Sequence, residues 1–129
     1  MSTPFTFNGV LLFPADPGVS PVPINVNLAA AFNQLIAETE ALTGSGTKSI
    51  DLSVLNGGLG ANLVLVKVDA QPTPQMLNLR WNGGSSTGEQ EVSTGGFFMV
   101  GSPNPTAGLT ALELVWTAPM TVRVWALGL

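Results

Sequence analysis

The sequence contains no cysteine, no histidine and no tyrosine, and its four Lys and Arg plus eight Asp and Glu make only twelve charged residues among 129. Without cysteine there are no disulfides, thiolate metal sites or cysteine nucleophiles, and the redox compartment stays open. Without histidine the usual general base near neutral pH and the commonest transition-metal ligand are gone. Serine and threonine hydroxyls therefore have no imidazole to activate them, and Lys48 and Lys67 sit in ordinary strand patterns. No catalytic residue, no cofactor and no metal are expected.

Charge is scarce as well as one-sided. Charged residues make up 9% of the chain against about a quarter in ordinary soluble domains, while 45% are hydrophobic. A free monomer with so little charge has little to hold its surface apart from others, so much of that surface is expected to be covered by neighbours. The net charge is −4, and Lys48, Lys67, Arg80 and Arg123 are spread singly, so there is no patch for phosphates. Nucleic acid is not an expected partner. Nor is a membrane, because the apolar run GVLLF ends after five residues at Pro14.

The length suits one domain. Its first 24 residues hold five of the ten prolines, four of them in FPADPGVSPVP from Phe13 to Pro23. Proline fixes φ and lacks an N–H, so residues 1–24 are expected to form an extended arm paired along one edge at most. A disordered tail is the competing reading. Against it stand Phe5, Phe7, Val10, Leu11, Leu12 and Phe13, each worth about 1.5–3 kcal/mol when buried rather than exposed. Phe5, Phe7, Leu11, Leu12 and Phe13 are the expected anchors of an arm lying in a groove.

From Asn27 to about Leu42, Leu28, Phe32, Leu35, Ile36, Thr39 and Leu42 fall at spacings of three and four and make one stripe, which predicts the chain's only helix. Residues 25–46 are thus assigned to an amphipathic helix and a glycine-rich turn, and 47–129 to a β domain. There the period becomes two. Strands are expected in KSIDLSVL, ANLVLVKVD, QMLNLRWN, EQEVS, GFFMV, LTALELVWT and MTVRVWALG, separated by NGGLG, QPTP, NGGSSTG, STGG, SPNPTAG and AP. The fold class is therefore mainly β, an antiparallel β-sandwich of jelly-roll or immunoglobulin type with about six to eight strands, an N-terminal arm and one short helix.

Several motifs look like chemistry and read better as structure. TGSGTKS (43–49) lacks the glycine directly before Lys-Ser that a phosphate loop needs, and it leads into a strand; NGGLGAN (56–62) also enters a strand rather than a helix. Glu89, Glu91 and Asp69 could gather oxygens around calcium, but alternate charges on an edge strand account for the pair. Nothing in the spacing pairs Glu89 with Glu113 or Asp51 for glycoside hydrolysis. Trp81, Trp116 and Trp125 could stack on sugars, although strand positions favour packing; Trp125 shares its face with Thr121 and Arg123.

The stretch from TGSGTKSIDLSVLNGG through GGFFMVGSPNPTAGLTALELVWTAPMTVRVWALG, residues 43–128, resembles the small β-sandwich structural proteins of tailed-bacteriophage virions. The shared features are a glycine-serine lead-in, a Gly-Gly-aromatic strand, a Pro-Asn-Pro loop and a closing strand ending in Leu-Gly. The resemblance implies location in the virion as a capsid decoration or cement protein. Its partners would be itself, in a homo-oligomer with a trimer as one candidate, and the major capsid protein or tail proteins. A tail or fibre protein is the alternative within that class, and a carbohydrate-binding module using Trp81 or Trp125 lies outside it. Phe97, Phe98 and Trp125 are the expected subunit or ligand contacts.

Overall fold

The computed structural model describes residues 3–13, 22–32, 34–81, 90–101 and 108–128, the first two spans as backbone apart from the exposed Asn8. They form ten strands: β1 (Thr3–Phe13), β2 (Val22–Phe32), β3 (Gln34–Leu42), β4 (Gly46–Asp51), β5 (Leu63–Val68), β6 (Met76–Trp81), β7 (Gln90–Ser93), β8 (Phe97–Gly101), β9 (Ala111–Trp116) and β10 (Met120–Gly128). Eight build two antiparallel sheets, a front sheet ordered β3-β10-β5-β8 and a back sheet ordered β4-β9-β6-β7. β1 and β2 pair only with each other among the described residues.

The two-residue period explains the core. Val64, Val66 and Val68 of β5 and Val122, Val124 and Ala126 of β10 alternate inward from the front sheet. They join Ile50, Leu77, Leu79, Leu112 and Leu114 of the back sheet in one buried cluster. Two sheets sharing one such cluster make a sandwich-like arrangement. Leu52 and Leu55 close the cluster from the β4–β5 connection, where a 3-10 turn at Asn56–Gly58 is the only helical element among the described residues. Asn56 and Gly57 are both held at positive φ there, 51° and 61°.

The helix expected over 27–42 is not formed. Its residues lie in β2 and β3, with Asn33 between them outside the described set. Helical spacing of Leu28, Phe32, Leu35 and Ile36 lost to pairing: β3 is hydrogen-bonded along β10 from Gln34↔Gly128 to Leu42↔Met120. Strand preference is set by such neighbours more than by intrinsic propensity. The domain boundary at residue 24 likewise falls inside β2, and the glycine-rich turn shrinks to the link between β3 and β4. Of FPADPGVSPVP, residues 14–21 lie outside the described residues.

The seven strands expected after residue 47 all appear, MTVRVWALG with the expected bounds and the others with one or both ends moved. KSIDLSVL stops early as a strand, because Asp51 Oδ1 accepts hydrogen bonds from Ser53 N (2.9 Å) and Ser53 Oγ (2.5 Å) and turns the chain.

Candidate functional site

The two outer faces differ in chemistry. On the back sheet, Thr47, Ser49 and Asp51 of β4, Glu113 of β9, Asn78 and Arg80 of β6, and Glu91 and Ser93 of β7 occupy outward positions, together with the apolar Met76, Ala111 and Val115. Register places Ser49, Glu113 and Arg80 side by side. Arg80 Nη1 donates to Glu113 Oε1 at 3.0 Å, and Ser49 Oγ lies 3.5 Å from Glu113 Oε2. Four charged side chains, Asp51, Arg80, Glu91 and Glu113, thus lie on this face.

The front sheet presents the opposite. The ladders set Leu35, Leu127, Leu63 and Gly101 in one row, Ala37, Trp125, Leu65 and Met99 in the next, and Thr39, Arg123, Lys67 and Phe97 in the third. Two of the three rows thus have no charged side chain. Leu35 is 50% exposed and Phe97 65%. Leu63 and Leu127 have the same outward parity and stand apart from the core cluster, yet they are buried, so that end of the face is already covered within one chain. Charge enters only at the third row, where Arg123 Nε lies 3.4 Å from Asp69 Oδ1.

The three tryptophans divide by parity. Trp81 tilts against Phe98, ring centroids 5.7 Å apart, and joins the two sheets at the β6–β8 side of the core. Trp116 also packs on the core, and its Nε1 donates to the Thr43 carbonyl at 3.1 Å. Only Trp125 lies on an outward row, half-buried between Ala37 and Leu65.

The expected contact residues are therefore separated. Phe97 and Trp125 share the front face, whereas Phe98 packs on the core. The anchors Phe5, Phe7, Leu11, Leu12 and Phe13 all fall in β1, opposite Ala30, Leu28, Ile24, Pro23 and Val22. Their side chains lie outside the described residues. Because the period is two and opposite residues share a face, Phe5, Phe7, Leu11 and Phe13 belong to one face of this ladder and Leu12 to the other.

Of the carboxylates weighed for calcium or hydrolysis, Glu89 lies outside the described residues, Glu91 is exposed on β7, and Asp69 and Glu113 face arginines. Ser53 holds Asp51 below the usual carboxylate range, first through its hydroxyl and then through its backbone N–H.

Sequence reasoning missed the inward carboxylates of β3. Glu38 and Glu40 share the inward parity of Ile36 and Leu42, opposite Val124 and Val122. Lys48 of β4 pairs with Glu40 across the gap between the sheets, while Glu38 Oε2 is buried without a hydrogen-bond partner among the described residues. The signal was present as the alternation Ile36-Glu38-Glu40-Leu42, hidden because its middle members are charged.

Among the described residues no helix is long and apolar enough to cross a membrane. Comparison of the chain with protein-family models, with curated proteins and with solved structures finds no match.

Proposed function

We propose that this chain is a non-enzymatic assembly protein of a tailed-phage virion, in the first place a capsid decoration or cement protein. The observation that carries the reading is the contrast in charge between the outer faces: a back sheet with Asp51, Arg80, Glu91 and Glu113 among its outward residues, and a front sheet whose rows through Leu127 and Trp125 carry no charged side chain. An apolar sheet face on a charge-poor chain is what a protein covered by neighbours requires. The placement in a virion rests on the resemblance of residues 43–128.

The strand order supports a jelly roll over an immunoglobulin-type sandwich. From β3 to β10 the chain changes sheet at every step except β6 to β7, giving orders β3-β10-β5-β8 and β4-β9-β6-β7. Double-sheet jelly rolls of eight strands recur in viral capsid proteins and in lectins. The lectin reading has less behind it, because Ala37 and Leu65, which flank Trp125 across the ladders, offer no side-chain hydrogen bond to a sugar hydroxyl.

Imaging of purified particles tests the proposal. Density for the chain in many copies over the shell is the expected result, and a few copies at the tail would move it to the tail class. Absence from particles, together with glycan-array binding that Trp125→Ala abolishes, would overturn it in favour of a carbohydrate-binding module.

A further inference from the structure

We infer that the chain pairs with a second copy of itself, β8 against β8 in an antiparallel register centred on Met99, so that the front sheets of two copies join into one. The inference rests on the assembly reading and names one partner and the strand that meets it.

β8 is an open edge. Among the described residues it is bonded to β5 on one side and to no strand on the other. All five of its residues are exposed or half-buried, including Phe98 and Val100, whose side chains reach the core cluster. The chain itself therefore leaves this edge uncovered, unlike the row through Leu63 and Leu127.

The edges of the two sheets are not alike. β3 turns Glu38 and Glu40 inward, β4 carries Lys48 and Asp51, and β7 carries Glu91. Charges so placed keep a sheet edge from taking on another strand. β8, by contrast, reads Phe97-Phe98-Met99-Val100-Gly101 with neither charge nor proline, and Phe97 is 65% exposed, more than any other large apolar side chain among the described residues. It is the unguarded edge of the sandwich.

Backbone direction and side chains together select the occupant. The Gly96 carbonyl accepts from Val68 N at 3.0 Å, so by alternation Phe98 and Val100 also point their backbone groups at β5, while Phe97, Met99 and Gly101 point theirs to the open side. Two β8 strands related by a two-fold axis at Met99 set Met99 opposite Met99 and Phe97 opposite Gly101. Each opposed pair exchanges two hydrogen bonds, and no group of the edge is left over. Sliding by two residues strands either Phe97 or Gly101. In the centred register the Phe97 ring lies beside a glycine of the other copy, where no side chain competes for the space, and Phe98 meets Val100 on the core side. The strand is its own complement. Each copy offers one such edge, so the contact is isologous and closes at two.

Sedimentation of the full chain, with no particle present, tests the pairing. Wild type is expected to be a dimer. Met99→Pro should be a monomer with the β-sheet circular dichroism of the wild type, because the N–H it removes faces away from β5. Met99→Lys and Met99→Glu each set like charges opposite one another and should be monomeric alone, whereas their equimolar mixture should recover the dimer. A wild type that stays monomeric would assign the edge to a strand of another protein and overturn the inference. So would a Met99→Pro dimer as tight as the wild type, or a mixture that recovers nothing.

The lack of native cysteine permits a check on register. In a hydrogen-bonded pair Met99→Cys stands about 5.5 Å, Cα to Cα, from its counterpart, within disulfide reach. Phe97→Cys, though at the more exposed position, is separated from its counterpart by four residues of strand, about 14 Å. Mild oxidation should give a covalent dimer with Met99→Cys and none with Phe97→Cys; equal yields would overturn the inference. Because all of these tests use purified chain alone, their failure leaves attachment to a particle to be judged separately.

Discussion

Gly46 of β4 sits under the indole of Trp116, so that a Cβ on this residue would stand 3.0 Å from Cζ2 of the ring. The same indole donates to the Thr43 carbonyl at 3.1 Å, so it cannot move aside without losing that bond. Gly46→Val is expected to cost about 1–3 kcal/mol through forced repacking. Urea unfolding should show a lower midpoint with an unchanged slope.

Gly60 is more tightly constrained. Its φ is +96°, and a Cβ would come within 2.3 Å of the Leu109 carbonyl oxygen, beside the paired bonds that Ala61 and Leu109 exchange at 2.8 Å. Gly60→Ala should destabilise by more than about 2 kcal/mol, since strained φ and a steric clash act together. A thermal midpoint equal to that of the wild type would contradict this account.

Leu114 is fully buried between Lys48 and Leu79 in the back-sheet register, and Met76 at the start of β6 is 45% exposed. Leu114→Ala is expected to cost about 2–5 kcal/mol, the transfer and cavity terms adding. Met76→Ala should stay within about 0.5 kcal/mol. The pair, measured in one denaturation series, tests whether the sheets share the core described.

Asp51 titrates below its ordinary value of 3.8 because Ser53 donates to its ionised form. A depressed folded-state pKa contributes stability that is present above the unfolded value and is lost as pH falls through the folded one. Ser53→Ala should raise the Asp51 pKa toward 3.8, read from its carboxyl carbon shift in an NMR titration. An unchanged pKa would mean that the backbone N–H alone holds the charge.

Most of the sandwich was legible because its strands alternate cleanly. Val122 and Val124 against Arg123, and Leu112 and Leu114 against Glu113, each announce one buried face. Strand order was not legible, since periodicity says which face is buried and not which strand lies beside which. The failure came at 27–42. In the Ala-rich LAAAF and in LIAETEAL, good helix formers coincide with a three-four spacing. Yet Ile24-Asn25-Val26-Asn27-Leu28 already alternated with period two, and only the inward glutamates of β3 broke the pattern further on.

The candidate surfaces were legible in part. Trp125 stood out from its neighbours Arg123 and Thr121, and Phe97 from its position in β8. That Phe98 would pack on Trp81 instead depended on which strands the two sheets bring together, and no local pattern encodes that.

The carboxylates on the inward side of β3 also bear on how large an assembly can grow. β3 and β8 are the two edges of the front sheet, and an unprotected edge invites another strand to extend it without limit. Charges aimed inward make an incoming strand bury them, and the Glu40–Lys48 pair ties this edge to the neighbouring edge β4. Growth through that side is disfavoured. On the proposed assembly reading, a chain so short of surface charge would then associate through its faces and the β8 edge rather than grow strand by strand.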